Sequence, residues 1–420
     1  MTDLATHGGP ITSPVYLPSP MPGAHEPLTD ALLDPATYAS DVHVVLDRLR
    51  AEAPLAWNGT KGFWAVTRHA DVSEASSDPA RFCSARGILL DEIGVTYDSP
   101  PTMMHADPPE HTRYRKLARP GFTNAVVRQL EVLVRERTGA ALDALQAKAA
   151  GGTVVDVTAE LAVPLPIQLI AQLLGLPEGD EERLFRWSEA AIPGATDWPE
   201  DERNALLGEM TVELLGLAAA RRQEPRDDVV SMLATYEEDG ESLTDDELGM
   251  FLIQLLVAGN ETTRNAISGG LVALAEHPEQ LDRLAEDPSR LPTAVEEVLR
   301  WTTPVTSFMR TAVTDTTLAG TPISAGDPML LIYAAANRDE AEFGPTAGTF
   351  DVGRTPNHHV ALGHGPHFCL GAALARLELS VVLEGVVARW SRLAVAGPIV
   401  HSGSSVISGI KSAPLTLAAR

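Results

Sequence analysis

The chain has 420 residues, 44% of them hydrophobic, and its 57 acidic against 32 basic residues leave a formal net charge of −25. That length exceeds most single hydrophobic cores and predicts either two domains or one large domain with a subsidiary lobe. The charge repels nucleic acid and anionic membrane surfaces, and no apolar run reaches the length of a membrane span, so small, weakly charged ligands are the expected partners.

Residues 1–30 read as an extended N-terminal arm, with prolines at 10, 14, 18, 20, 22 and 27 and no basic segment leading into an apolar one. The two cysteines, Cys83 and Cys369, are expected to be reduced, and the cytoplasm is the expected compartment. Asp34 to Ala53 reads as a helix opened by Pro35 and stopped by Pro54. Leu55 to Trp57 and Phe63 to Thr67 flank a glycine-bearing turn and predict a hairpin, with a helix over Ala70 to Ser77 behind it. Phe82 to Met104 lacks periodicity, scatters apolar residues such as Ile88 and Leu89, and reads as a long loop of the kind that tends to be functional. A proline-rich turn at Asp107 to Pro109 then opens a basic helix. In it His111 and Arg115 are four apart and share a face able to grip two carboxylates, and Arg113, Arg115, Lys116 and Arg119 form a local basic cluster.

Helical patterns follow over Val126 to Ala149, Leu161 to Leu174, Asp180 to Ala191 and Glu200 to Arg222, with a short connection from Ile192 to Trp198, so the architecture is mainly α. Thr244 and Glu247 form a capping box ahead of a helix over Asp245 to Glu276. At 1.5 Å per residue such a helix spans roughly 48 Å, and its first half is apolar nearly all round, as a helix buried through a domain centre must be. Inside it lies Ala258, Gly259, Asn260, Glu261, Thr262, Thr263. A helical glycine costs about 1 kcal/mol relative to alanine, and a buried carboxylate is expensive unless paired. Close helix packing with a surface Glu261 is the plain structural account. Thr293 to Trp301 gives a short helix with Glu297 and Arg300 three apart, on its own an ordinary surface pair. Thr303 to Arg310 reads as an extended strand carrying Val305 and Phe308, strand and turn signals run through Thr317 to Ile332, and Val406 to Leu417 reads as a final hairpin with Ile407 near its start.

The most informative stretch runs from Leu362 to Gly371. Gly363, Gly365, Pro366 and Gly371 argue for a fixed, irregular loop whose backbone can approach something large and flat. Cys369 stands just before the helical pattern that begins at Ala372, where unpaired amides and the helix dipole favour an anion and lower a thiol's pKa. The thiolate is the metal-binding form. The spacing Gly363, x, Gly365, x, His367, x, Cys369, x, Gly371 resembles the haem-binding loop of the cytochrome P450 monooxygenases. One position departs: Leu362 stands where that family usually has a phenylalanine packed beside the cysteine and the haem.

The resemblance implies a mainly α cytochrome P450 fold of about a dozen helices with a smaller β-rich region, residues 31–420 forming one domain. It implies haem b held between the long helix and the cysteine helix, with the Cys369 thiolate as axial ligand and Gly363, His367 and Gly371 framing it. His111, Arg115 and Arg310 are then the propionate partners, and Ala258 and Gly259 leave room at the haem face. Glu261 and Thr262 take the roles of proton delivery during oxygen activation. Glu297, Arg300 and Arg354 correspond to a buried network that fixes the helix beneath the haem loop. Ile88, Leu89, Val305, Phe308 and Ile407 fall where the family contacts substrate, and the helices either side of Ile192 to Trp198 form its mobile lid. The implied reaction inserts one oxygen atom of O2 into a C–H bond of an apolar small molecule such as a steroid, terpenoid, lipid or secondary metabolite. Because the chain carries no flavin or nicotinamide motif, electrons from NAD(P)H are expected through a separate reductase and ferredoxin docking near Arg113, Lys116, Arg119 and Arg376. Two alternatives are a zinc site built from His358, His359, His364, His367 and Cys369, and a haem-thiolate ligand sensor, which Glu261 and Thr262 weaken.

Overall fold

A computed structural model describes residues 25–95, 102–176, 179–192 and 198–420. Its axis is the helix Asp245–Glu276, the central helix, which has the predicted bounds. The capping box that starts it is formed: Thr244 N donates to Glu247 Oε2 at 2.8 Å and Glu247 N to Thr244 Oγ1 at 3.2 Å. Apolar residues of the N-terminal and C-terminal halves of this helix enter two different cores. Leu248, Leu252 and Leu256 pack with Leu184, Trp187 and Met210, whereas Ile267, Leu271 and Leu274 pack with Leu142, Val298 and Val382. The helices Pro164–Leu173, Glu181–Ala191, Glu200–Gln223, Leu291–Thr302 and Ala372–Arg389 surround it. A helix enclosed in this way reads as apolar nearly all round because it has no solvent face along much of its length.

Twelve α-helices of seven or more residues are found among the described residues. The largest sheet has the strand order Leu55–Asn58, Phe63–Val66, Pro328–Ile332, Ser307–Ala312, Phe82–Cys83. The predicted hairpin is its edge, with Leu55 opposite Val66 and Asn58 opposite Phe63. Pro328–Ile332 runs parallel to Phe63–Val66 and antiparallel to Ser307–Ala312, which sets Phe308 opposite Leu331 and Arg310 opposite Met329.

Several boundaries differ from the sequence expectation. The Asp34 to Ala53 helix is two pieces, Pro35–Tyr38 and His43–Glu52, because the Asp41 side chain accepts from the His43 amide at 3.0 Å and restarts the turn. Glu26–Asp30 is helical with Leu28 buried, so the end of the expected arm packs on the domain; residues 1–24 lie outside the described set. Helices Val229–Thr235 and Pro278–Glu286 were not anticipated. The C-terminal stretch is no simple hairpin: Ile410–Ser412 pairs with Val400–His401, then Pro414–Ala419 crosses to pair with Trp390–Val395 and Val155–Asp156. Ile192 to Trp198 and the Phe82 to Met104 loop lie partly outside the described residues. No helix among the described residues is long and apolar enough to cross a membrane.

Candidate active site

The cysteine loop is closed by its own backbone, Cys369 N donating to Leu362 O at 2.8 Å. Gly363 and Gly365 have φ of 75° and 68°, a region costly for side-chain-bearing residues. Gly365 also lies so close to the helix His69–Ser77 that a Cβ would stand 2.5 Å from Ser76 O, whereas a Cβ on Gly371 would meet nothing within 4 Å. Leu362 is buried in the core that Cys369 packs against. The helix Ala372–Arg389, the cysteine helix, begins three residues after the thiol. Burial pushes the Cys369 thiol up, against the pull of the Gly371 amide, Arg115 and Arg376. The expected lowering by the helix terminus is thus outweighed by desolvation, and a ligated cation is what would make it a thiolate.

Above this loop four bases converge. His111 and His367 stack with ring centroids 4.1 Å apart, and His367 Nε2 lies 3.2 Å from Ser84 Oγ. Burial and then Arg310, His111 and Arg115 lower His367 to about 3, and burial followed by Arg115 lowers His111. The nearest acid, Asp107, caps the Ser84 and Ala85 amides. Among the described residues no carboxylate forms an ion pair with Arg115 or Arg310. His111 Nε2 is buried without a partner, and Arg310 donates to Met309 O, the carbonyl before it in its own strand, at 2.7 Å. Such a cluster, with an orphaned nitrogen and no counter-charge, fits a ligand that brings two carboxylates. Haem b does.

The zinc alternative fails on geometry. His358 reaches Glu342 at 3.0 Å, His359 reaches Glu296 at 3.1 Å and His367 turns to Ser84, and no three metal-ligating side chains converge among the described residues.

On the central helix, Ala258 is exposed, and Thr262 donates from Oγ1 to Ala258 O at 2.7 Å. Gly259 does not itself open that face, because a Cβ there would meet Ile170 Cδ1 at 3.0 Å; it lets the helix Pro164–Leu173 approach. Nor does the structure bring Glu261 to Thr262. Glu261 points to the helix Glu181–Ala191, accepting from Ser188 Oγ at 3.2 Å and Asn260 Nδ2 at 3.1 Å, with Arg264 against its other oxygen. Burial pushes this carboxyl up to about 8, Arg264 pulling it down and Glu189 pushing it further up. Sequence reasoning missed Ser188, Glu189 and Arg264, although the three-residue spacing of Glu261 and Arg264 is the signature of a helical ion pair.

Leu89, Val305, Phe308 and Ile407 gather into one small apolar cluster with Ile192, Val406 and, from the central helix, Val257. The cluster is tied by a bridge between Val305 and Ile407 and by Thr306 N donating to Val406 O at 2.8 Å. Ile88 is not part of it: its carbonyl accepts from Met309 N at 2.7 Å and the residue is buried outside that cluster. Glu297, Arg300 and Arg354 form a fully enclosed network, with 2.7 Å from Arg300 and 3.1 Å from Arg354 to Glu297. Much of the basic cluster is already engaged. Arg113 pairs with Glu241 and Glu247, Lys116 with Glu238 and Asp239, and Arg376 with Glu296; the acidic turn around Asp239 folds over the basic helix and leaves Arg119 without an ion pair among the described residues.

A model of the cytochrome P450 family matches residues 206–395. The chain is 38% identical over 388 residues to the methyl-branched lipid omega-hydroxylase of Mycobacterium tuberculosis, covering 88% of this chain and 89% of that one. It is 35% identical over 404 residues to the linalool 8-monooxygenase of Pseudomonas putida, covering 92% and 98%. Among solved structures, CYP108D1 from Novosphingobium aromaticivorans superposes with a TM-score of 0.84 at 33% identity, covering 95% of this chain and all of that one.

Proposed function

Because the chain belongs to the cytochrome P450 family of haem-thiolate monooxygenases, we propose that it hydroxylates a branched, apolar lipid or terpenoid, using electrons from a separate ferredoxin and its NAD(P)H-dependent reductase in the cytoplasm. Haem b, when bound, supplies a thiolate-ligated iron at which dioxygen is activated. Cys369 is the ligating residue in this reading, Arg115 and Arg310 neutralise the propionates, and the unpartnered His111 Nε2 hydrogen-bonds to them. The observation that carries the substrate class is the meeting of seven uncharged apolar side chains, Leu89, Ile192, Val257, Val305, Phe308, Val406 and Ile407, in one cluster. Such a surface selects by shape and exclusion of water. The relatives named for a methyl-branched lipid and for linalool agree with that chemistry.

Thr262 donates its hydroxyl proton to the carbonyl of the exposed Ala258, one turn earlier, and would release that bond in order to deliver a proton at the face where haem would bind. Glu261 is the buried acid that resupplies the proton. Arg119, the exposed cation of the basic helix cluster that forms no ion pair among the described residues, is the contact point for an acidic ferredoxin.

The deciding experiment is the absorption spectrum of the reduced, carbon monoxide-bound protein. A long-wavelength Soret band present in the wild type and absent in Cys369→Ser is expected; a band kept by the variant would remove Cys369 as ligand. Branched lipids and terpenoids that displace a haem-bound water should then shift the resting spectrum, and failure of every apolar candidate to do so would remove the substrate class.

A further inference from the structure

We propose that Glu189 is a second proton-relay residue of this enzyme, holding one proton in common with Glu261 across Arg264 and refilling Glu261 from the helix Glu181–Ala191. The inference rests on the assignment of Glu261 to proton delivery. Its basis is a charge count inside a closed space. Glu261, Glu189 and Arg264 are 1%, 7% and 7% exposed. Arg264 Nη1 meets Glu189 Oε1 at 2.7 Å while its Nη2 contacts Glu261 Oε2. Both carboxyl groups thus bracket one guanidinium, and Glu189 acts on Glu261 as a like charge. The other contacts of these three groups among the described residues include the neutral Ser188, Asn260 and the Phe185 ring, 5.7 Å from the guanidinium carbon. The other cations of the helix Glu181–Ala191 turn away, Arg183 to Asp180 and Glu213, Arg186 to Glu202.

Two carboxylates and one guanidinium leave one uncompensated negative charge, and buried like charges in contact cannot both ionise. One proton neutralises the set. The step moves that proton from a Glu189 carboxyl oxygen to the Glu261 carboxylate, after which the Glu189 carboxylate takes a proton from water; no electron is involved. Glu189 stands in the last turn of its helix, so displacement of that helix would part the two acids and stop the refill.

The test is infrared spectroscopy of the holoenzyme at neutral pH, reading the carbonyl stretch of protonated carboxyl groups. Wild type is expected to show a band that disappears in Glu189→Gln and equally in Glu261→Gln, because the remaining acid then pairs alone with Arg264 and ionises. Glu378, buried with one oxygen unpartnered, keeps its own band throughout and serves as the reference. Glu189→Gln should also lower product formed per NAD(P)H consumed by about two- to tenfold with substrate affinity unchanged. A band that persists in Glu189→Gln overturns the shared proton whatever the turnover. Loss of the band with unchanged coupling in both variants overturns proton delivery through Glu261, and the relay with it. Should a variant fail to fold, the wild-type band still decides: a shared pair titrates in two steps and a lone acid in one.

Discussion

Glu378 stands in the middle of the cysteine helix, with one carboxyl oxygen unpartnered, and burial pushes it up to about 8 from a usual 4.5. A folded-state pKa raised in this way gives stability that is fully present below the unfolded value and lost as pH rises through the folded one. Wild type should therefore lose stability between about pH 4.5 and pH 8 through this group, and Glu378→Gln should remove that part of the slope, gaining of the order of 2–4 kcal/mol at pH 8. Denaturant unfolding at pH 5 and pH 8 checks it; equal slopes in the two proteins would mean that Glu378 finds a partner in solution. Nothing in the sequence around Glu378 announced a buried acid, since Leu377, Glu378 and Leu379 fit an amphipathic helix equally well. Cys369 was legible for the opposite reason. Its glycines, proline and histidine have few uses in combination, and the backbone angles of Gly363 and Gly365 show why those residue types were needed.

The helix Leu291–Thr302 is held by charge rather than by packing alone. Glu297 receives both Arg300 and Arg354, and the two guanidinium groups go on to the carbonyls of Asn337, Ala347 and Thr349, so a whole loop ahead of the cysteine is stapled to one carboxylate. From three-residue spacing alone this was an ordinary surface pair, and only its enclosure raises the stakes. Glu297→Ala should cost about 3–5 kcal/mol, because it strands two buried cations. The check is Tm together with haem content after purification. A variant that keeps both would show that the network is replaceable by packing. The central helix was readable to the residue because its capping box and its apolar circumference are local properties. The missed helix Val229–Thr235 is too short to show more than a turn or two of period, and its one local signal is the cap from Asp228 to the Ser231 amide.

At the scale of the molecule, the four converging bases mean that the empty fold carries an electrostatic cost that a dicarboxylate cofactor relieves. Removing haem should lower Tm by about 5 °C or more, and raising salt should restore part of the loss by screening the repulsion between Arg115 and Arg310. Calorimetry on matched holo and apo samples tests this; an apo Tm insensitive to salt would assign the loss to packing alone. The net charge of −25 foretold none of it, since the basic site is local and Arg113 and Lys116 of the basic helix are matched by acids drawn from the turn around Asp239. By itself the sequence determined the family, the ligating loop and the long helix, because glycine angles, capping and periodicity are set by neighbours along the chain. The tertiary structure decided which way the acids face. That Glu261 turns from Thr262 toward Glu189, that Gly259 serves a neighbouring helix, and that Leu89, Val305 and Ile407 meet while Ile88 does not, all depend on contacts between segments far apart in sequence, where burial and partner charge outweigh local preference.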